Sequence, residues 1–139
     1  MQIIPYLFFP GTCREAMTRY AEILGVEAPE IMAFADLPEE DKAHMPGVAD
    51  DAVMNASLNI GSGTLMGSDE VGPDFTPMAG SSVNIVLPTA EEAQRVFDAL
   101  SEGGEVRMPM MPMFWTPAFG TLSDKWGTRW MVMAKEYEG

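Results

Sequence analysis

The stretch SVNIVLPTAEEAQRVFDALSEGG (82–104) decides the fold, because it repeats a pattern found earlier in IIPYLFFPGTCREAMTRYAEILG (3–25). Each stretch opens with a run rich in β-branched or aromatic residues that ends at a proline, over 3–9 in the first and 82–87 in the second. Such runs are typical of β-strands. A strand is therefore predicted at the start of each stretch.

Helices are predicted directly after both strands. The S/T-x-x-E pattern of a capping box occurs as Thr12 with Glu15, and again as Thr89 with Glu92. Apolar residues then recur with helical spacing on one face, and glycine ends each helix. These apolar residues are Ala16, Tyr20, Ile23 and Leu24 in the first helix and Ala93, Val96, Phe97 and Leu100 in the second. A strand followed by a capped helix therefore occurs twice.

Three more strands are predicted in each half, two of them joined by a hairpin with glycine in or beside its turn. The predicted strands are 30–35, 53–60 and 64–68 in the first half, and 106–111, 116–122 and 128–133 in the second. Each half is then a βαβββ module. The prediction is one domain over 1–139, with modules at 1–68 and 82–139 and a linker rich in glycine and proline at 69–81.

The fold class predicted from this repeat is α+β. A single module leaves one face of its sheet uncovered, so two modules are expected to form a curved sheet around a cavity. The acidic segment 36–51 interrupts the first module, and it is expected to be an exposed loop with a helical turn in its middle.

Composition limits the possible partners. The 139 residues carry a formal net charge of −13, which opposes binding to nucleic acids and to anionic membranes. Cys13 is the one cysteine, so no intrachain disulfide can form. Neither a signal sequence nor an apolar run of about 18 residues is recognised, which favours a cytoplasmic protein that does not span a membrane.

Three segments resemble the vicinal oxygen chelate superfamily, which includes glyoxalase I, bleomycin-resistance proteins and extradiol dioxygenases. They are PYLFFPGTCREAMTRYAEILG (5–25), NASLNIGSGTLMGSDE (55–70) and FGTLSDKWGTRWMVM (119–133). The resemblance is greatest to the PhnB-like branch, whose domains carry the label 3-demethylubiquinone-9 3-methyltransferase. It covers nearly the whole chain, and it implies paired βαβββ modules, a ligand cavity and a homodimer.

The resemblance also implies where a divalent metal would bind, because metal-binding members hold it with His, Gln or Glu side chains. Asn55 stands where PhnB-like relatives often carry His, and Met131 replaces the Glu of a G-x-x-W-E pattern. Tyr6 or Phe8 takes the corresponding place on the first strand. These are poor ligands, so we expect no catalytic metal or other cofactor. A divalent metal held by carboxylates alone, from Asp69, Glu70 and Asp124, is the alternative.

The segment MPMMPMFW (108–115) allows two interpretations. Thioethers can bind Cu(I), but methionine also fills irregular apolar gaps beside aromatic rings. Without an export signal, a cavity wall or a dimer contact is favoured over copper. The lone histidine, His44, lies in the acidic segment and is expected to be exposed.

Other catalytic arrangements find less support. Cys13 is expected at the start of a helix, where the dipole can lower a thiol pKa, but this position usually faces solvent and no base is near in sequence. The segment GSGTLMG (61–67) leads into a strand and lacks the P-loop lysine. No glycine-rich strand-to-helix turn suited to S-adenosylmethionine is found, so the methyltransferase label is not adopted.

The sequence therefore favours a metal-free protein that binds a small, partly apolar or aromatic molecule. Aromatic side chains would stack on the ligand and two amides would orient it, although any of these aromatics could be ordinary core. The candidate ligand-binding residues are Tyr6, Phe8, Asn55, Met66, Asn84, Trp115, Phe119 and Trp130. The alternatives are a metal-dependent lyase, isomerase or dioxygenase with atypical ligands, and a structural dimer with a collapsed cavity; whether any reaction is catalysed stays open.

Overall fold

The protein divides into two compact units, which the computed structural model describes over residues 1–138. Unit 1 comprises residues 1–76, and unit 2 begins at Pro77. The division lies inside the predicted linker 69–81, although the strand before it continues through Asp69.

Unit 1 contains one long helix and an open, four-stranded sheet. Its elements are β1 (Tyr6–Phe9), α1 (Cys13–Leu24), β2 (Glu30–Ala33), a short 3₁₀ helix (Phe34–Asp36), α2 (Glu39–Lys42), β3 (Val53–Ile60) and β4 (Gly63–Asp69). The strand order is β1-β4-β3-β2, with β1 parallel to β4 and the other pairs antiparallel. This is the predicted βαβββ module, and α2 supplies the helical turn expected in the acidic segment.

Unit 2 repeats the same topology. Its elements are β5 (Val83–Leu87), α3 (Ala90–Ser101), β6 (Glu105–Met111), β7 (Phe119–Ser123) and β8 (Arg129–Ala134). The order β5-β8-β7-β6, with β5 parallel to β8, matches that of unit 1 strand for strand. The prediction of an α+β fold built from two βαβββ modules is thus confirmed. Enclosure of a cavity by the two sheets stays a prediction.

Each helix packs its apolar stripe on one side of its own sheet, which we call the helix face; the opposite side is the far face. The buried residues of α1 are Cys13, Ala16, Met17, Tyr20, Ala21 and Ile23, and those of α3 are Ala93, Val96, Phe97 and Leu100. Gly120 lies under α3, where an added Cβ would come within 2.7 Å of the Phe97 ring. Close approach of helix and sheet therefore requires glycine at this position.

The two helices begin differently, although their sequence signals are the same. The Thr89 hydroxyl accepts a hydrogen bond from the Glu92 N–H at 3.2 Å, as predicted. The Thr12 hydroxyl does not cap α1 and is buried without a partner among the described residues, so the prediction was wrong for α1. Asp69 instead accepts from the Cys13 N–H at 2.9 Å. A carboxylate from the end of β4 has replaced the local cap, because it brings a full negative charge to the helix N-terminus.

Cys13 also differs from the prediction, because its side chain is completely buried and does not face solvent. Burial first, and then the negative charge of Asp69, raise the pKa of the Cys13 thiol from 9.0 to about 12, against a smaller lowering by Arg14. Such a thiol stays protonated and unreactive near neutral pH. Burial has therefore outweighed the dipole effect that the sequence suggested.

The hairpin between β7 and β8 is organised around a buried carboxylate. Asp124 Oδ1 accepts from the N–H groups of Trp126 and Thr128, and Oδ2 accepts from the Trp130 indole, all at 2.9 Å. Asp124 is only 4% exposed. It is therefore a structural residue and not the solvated turn acid that hairpin acids usually are.

Candidate functional site

In unit 1, four of the predicted ligand-binding residues share the far face of the sheet. Successive strand residues point to opposite faces, so Tyr6 and Phe8 lie opposite Leu7 and Phe9, which are buried on the helix face. Met66 lies beside Tyr6 in the register of β1 and β4. The amide of Asn55 reaches the Tyr6 hydroxyl from β3, at 3.4 Å. Sheet pairing thus brings together residues that are far apart in the chain.

The far face of unit 1 is unusually apolar for an exposed surface. Tyr6 is 39% exposed and Phe8 is 56% exposed, and their rings lie 5.2 Å apart with an interplanar angle of 47°. Met32, opposite Asn55 on β2, is also exposed, and sequence reasoning had not selected it. Two aromatic rings, thioethers and an amide side by side can stack on a flat molecule and give it one or two hydrogen bonds.

In unit 2 the four predicted residues are not all brought together. Asn84 and Phe119 lie on the far face of that sheet, each beside a methionine of β8. Trp115 contacts Phe119 from the loop before β7, with ring centroids 5.5 Å apart. Trp130 lies on the helix face, 1% exposed, with its indole bonded to Asp124. Trp130 is therefore part of the core of unit 2.

The segment 108–115 forms the end of β6 and the loop that follows it. Met108 and Met110 are half-buried in the strand, whereas Phe114 is 92% exposed and stacks edge-on against Trp115 at 4.9 Å. The segment thus contributes partly to the sheet of unit 2 and partly to an exposed apolar surface.

The residues at the positions where the superfamily holds its metal do not fit a divalent ion. They offer a phenol or a phenyl ring, the amide of Asn55 and the thioether of Met131. Within residues 1–138, no three His, Cys, Asp or Glu side chains are grouped closely enough to hold a metal. Asp69 and Asp124 use both carboxylate oxygens to accept hydrogen bonds from the protein, and His44 is exposed on the acidic segment.

A cleft of about 320 Å³ lies beside the N-terminus of α1 in unit 1. It contains none of the predicted ligand-binding residues. Its lining residues are Pro10, Gly11, Gly47, Val48, Ala49, Asp51, Ala52, Asp69, Glu70 and Val71. The Asp69 carboxylate in its wall also accepts from the Val53 N–H at 2.9 Å, so this group ties β3 to α1 and is already satisfied.

Paired βαβββ modules are the architecture of glyoxalase and bleomycin-resistance proteins. The chain has a TM-score of 0.58 to a glyoxalase/bleomycin resistance protein from Albidiferax ferrireducens, at 16% identity over 94% of this chain and 97% of the other. This likeness establishes the fold and no more.

The family is established by sequence. A family model described as 3-demethylubiquinone-9 3-methyltransferase matches residues 1–133, and the chain belongs to that family. The Escherichia coli protein YjdN is 30% identical over 138 residues, which are 95% of this chain and 94% of YjdN. The PhnB-like resemblance is thus confirmed, and the fold is consistent with the vicinal oxygen chelate superfamily.

Two solved structures support the assignment. Protein PA1353 from Pseudomonas aeruginosa is 40% identical, with a TM-score of 0.85 over 97% of this chain and 98% of the other. A PhnB protein from Bacillus cereus is 26% identical, with a TM-score of 0.74 over 96% and 99% of the two chains.

The family description names a methyltransferase, but the described part of the chain has two small mixed sheets and not the doubly wound parallel sheet that binds a dinucleotide. Within the same residues, no helix is both long and apolar enough to cross a bilayer.

Proposed function

We propose that the protein binds a small, partly apolar or aromatic molecule on the far face of unit 1, without a catalytic metal. The observation that carries the proposal is the exposed pair Tyr6 and Phe8 beside Asn55. Exposed aromatic rings on a sheet gain free energy when a ligand removes them from water. The long 3.4 Å contact between Asn55 and Tyr6 is weak, so both groups can exchange it for hydrogen bonds to a ligand.

The charge of unit 1 narrows the ligand class. Residues 1–76 contain three basic and thirteen acidic side chains, which gives −10 of the total charge of −13. An anionic ligand would be repelled by this unit, whereas a neutral or cationic one would not. A neutral aromatic molecule with one hydroxyl or carbonyl group matches the face best.

Calorimetric titration with 2-naphthol, a neutral hydroxyaromatic probe, tests the proposal. Phe8→Ala removes a stacking partner worth about 1 kcal/mol, so the Kd should rise roughly fivefold. Asn55→Ala should weaken binding by a similar factor through the lost hydrogen bond. Tyr137→Ala is the matched control, because it removes an exposed aromatic ring of unit 2 and should leave the Kd unchanged. Equal effects of Phe8→Ala and Tyr137→Ala would contradict the proposal.

The main alternative is a metal-dependent lyase, isomerase or dioxygenase with atypical ligands. What favours it is the fold shared with glyoxalase-like proteins. Metal analysis of protein purified without chelators separates the two. A stoichiometric amount of iron, manganese, nickel or zinc would replace the metal-free proposal with this one.

We also propose that the protein is a cytoplasmic homodimer without a nucleic-acid partner. The exposed Phe114 and Met111 give unit 2 an apolar surface suited to a second copy, and the net charge of −13 disfavours nucleic acids. Sedimentation analysis tests the oligomer. Phe114→Lys should shift a dimer toward monomer, and a wild-type protein that sediments as a monomer at micromolar concentration would refute it.

A further inference from the structure

Arg129 is a cation that has no counterion within residues 1–138. It is the first residue of β8, and it lies on the far face of unit 2 with Met131 and Met133. Its Nε is inaccessible to solvent and has no hydrogen-bond partner among the described residues, although the residue as a whole is partly exposed. In the same part of the chain, no carboxylate lies within 4.0 Å of this guanidinium. A buried donor left without a partner destabilises the fold, and a charged one does so more.

A second arginine, Arg107, lies on β6, which is separated from β8 by β7. Arg107 Nε donates a 2.7 Å hydrogen bond to the Ser123 hydroxyl, and Ser123 lies directly opposite Arg129 in the ladder between β7 and β8. Two guanidinium groups thus flank one serine. Glu105 is the acid that the register places nearest, opposite Ser123 on β6, yet it forms no ion pair with either arginine within the described chain.

This arrangement is unexpected in so acidic a protein. Of the net charge, −10 belongs to residues 1–76 and only −3 to residues 77–139, where five basic side chains accompany eight acidic ones. Acidic side chains are therefore plentiful in the chain, but none within residues 1–138 forms an ion pair with Arg129. Like charges on the two strands that flank β7 repel each other, so an anion bound between Arg107 and the partly exposed guanidinium of Arg129 would reduce the repulsion and supply the missing counterion.

We propose that Arg129 and Arg107 form a binding site for the carboxylate or phosphate group of a small organic anion. The guanidinium group offers paired donors that match either oxyanion, and the Ser123 hydroxyl can add a third hydrogen bond. Met131 and Thr121 continue the same face, and they would contact the rest of the ligand. This site lies within unit 2 and does not depend on the aromatic face of unit 1.

Titration of the ¹⁵N-labelled full chain with sodium benzoate, at constant ionic strength, tests the site directly. The Arg129 Nε–H resonance should shift on saturation, because an anion bound to the terminal NH₂ groups changes the shielding of the whole guanidinium group. Benzamide, which has the same shape without the charge, should not shift it. A parallel titration with inorganic phosphate distinguishes the anion class: tighter benzoate binding indicates an organic carboxylate, and tighter phosphate binding indicates a phosphorylated ligand.

Charge-matched variants decide whether binding is specific. Arg129→Gln should raise the benzoate Kd about tenfold or more, and Arg107→Gln, which removes an exposed partner, should raise it severalfold. Arg95→Gln on α3 removes the same charge from unit 2 and should change the Kd by less than about twofold. Equal losses in Arg129→Gln and Arg95→Gln would reduce the effect to overall charge and overturn the proposal. So would an unchanged Arg129 resonance at saturating benzoate and phosphate.

Thermal unfolding separates a loss of anion binding from a loss of folding in the Arg129 variants. Arg129→Met removes an unsatisfied charge from a partly buried position, so its Tm should equal or exceed that of the wild type in buffer without added anion. Benzoate should raise the Tm of the wild type but not that of Arg129→Met. A large fall in Tm for Arg129→Met would mean that the arginine serves the fold, and this result would also refute the site.

Discussion

The buried carboxylate of Asp124 provides the most quantitative prediction, because Asp124→Asn changes the charge and adds one donor group while keeping the shape. The oxygen of the new amide can still accept the hydrogen bonds from the N–H groups of Trp126 and Thr128. The amide NH₂ group then faces the Trp130 indole N–H, so two hydrogen-bond donors oppose each other. The two retained bonds weaken from charge-assisted to neutral, and one buried donor loses its acceptor. We expect Asp124→Asn to cost about 3–4 kcal/mol of the free energy of unfolding.

Urea unfolding measures this cost. All three tryptophans, Trp115, Trp126 and Trp130, lie in unit 2, so their fluorescence reports on that unit while circular dichroism reports on the whole chain. Asp98→Asn, on the exposed side of α3, is the matched control and should change the free energy of unfolding by less than about 0.5 kcal/mol.

A double-mutant cycle with Trp130→Phe isolates the indole contact. In that background the opposing donor is gone, so Asp124→Asn should cost less, with a coupling energy of at least about 1.5 kcal/mol. A cost of Asp124→Asn below about 1 kcal/mol, or a coupling energy near zero, would refute the conclusion that this carboxylate holds the hairpin together.

Four further results are expected. Because burial raises the Cys13 pKa from 9.0 to about 12, Ellman's reagent should not react with the folded protein at about pH 8 but should react fully in urea. The same shift gives stability that is complete below pH 9.0 and is lost as the pH rises toward about 12, so the difference in unfolding free energy between wild type and Cys13→Ala should shrink across that range. Gly120→Ala should cost about 2 kcal/mol in urea unfolding, since the new Cβ meets the Phe97 ring, and Phe97→Leu should recover part of it. Thr89→Ala should cost about 1 kcal/mol and Thr12→Ala almost nothing, and equal costs would contradict the difference in capping.

Sequence reasoning was reliable for most local signals, with the Thr12 cap of α1 as the exception. The repeated strand and capped helix predicted both modules, and β3 was predicted to the residue. Errors of a few residues occurred where a segment is apolar but does not pair. The first strand begins at Tyr6 and not at residue 3, and β7 begins at Phe119 and not at residue 116, where the Thr116 hydroxyl bonds backbone carbonyls instead.

Among the candidate ligand-binding residues, too, the positions that a local pattern decides could be predicted and the others could not. Alternation along β1 predicts that Tyr6 and Phe8 share a face, so their grouping could be anticipated. Trp130 could not be placed in this way, because aromatic residues on either face of β8 give the same sequence signal. The buried acceptor Asp124 shows which face Trp130 occupies, and only the folded hairpin brings the two together.

The sequence by itself determined the number of modules, their βαβββ order and the helix positions, because hydrophobic periodicity and turn residues act over a few neighbours. The tertiary structure decided which polar groups find partners. Asp69 caps α1 from 56 residues away, and within residues 1–138 the Thr12 hydroxyl stays unused and Arg129 stays unpaired, in a chain with 21 acidic residues. Pairing depends on distances of about 3 Å between groups far apart in the chain, and no local pattern encodes such distances.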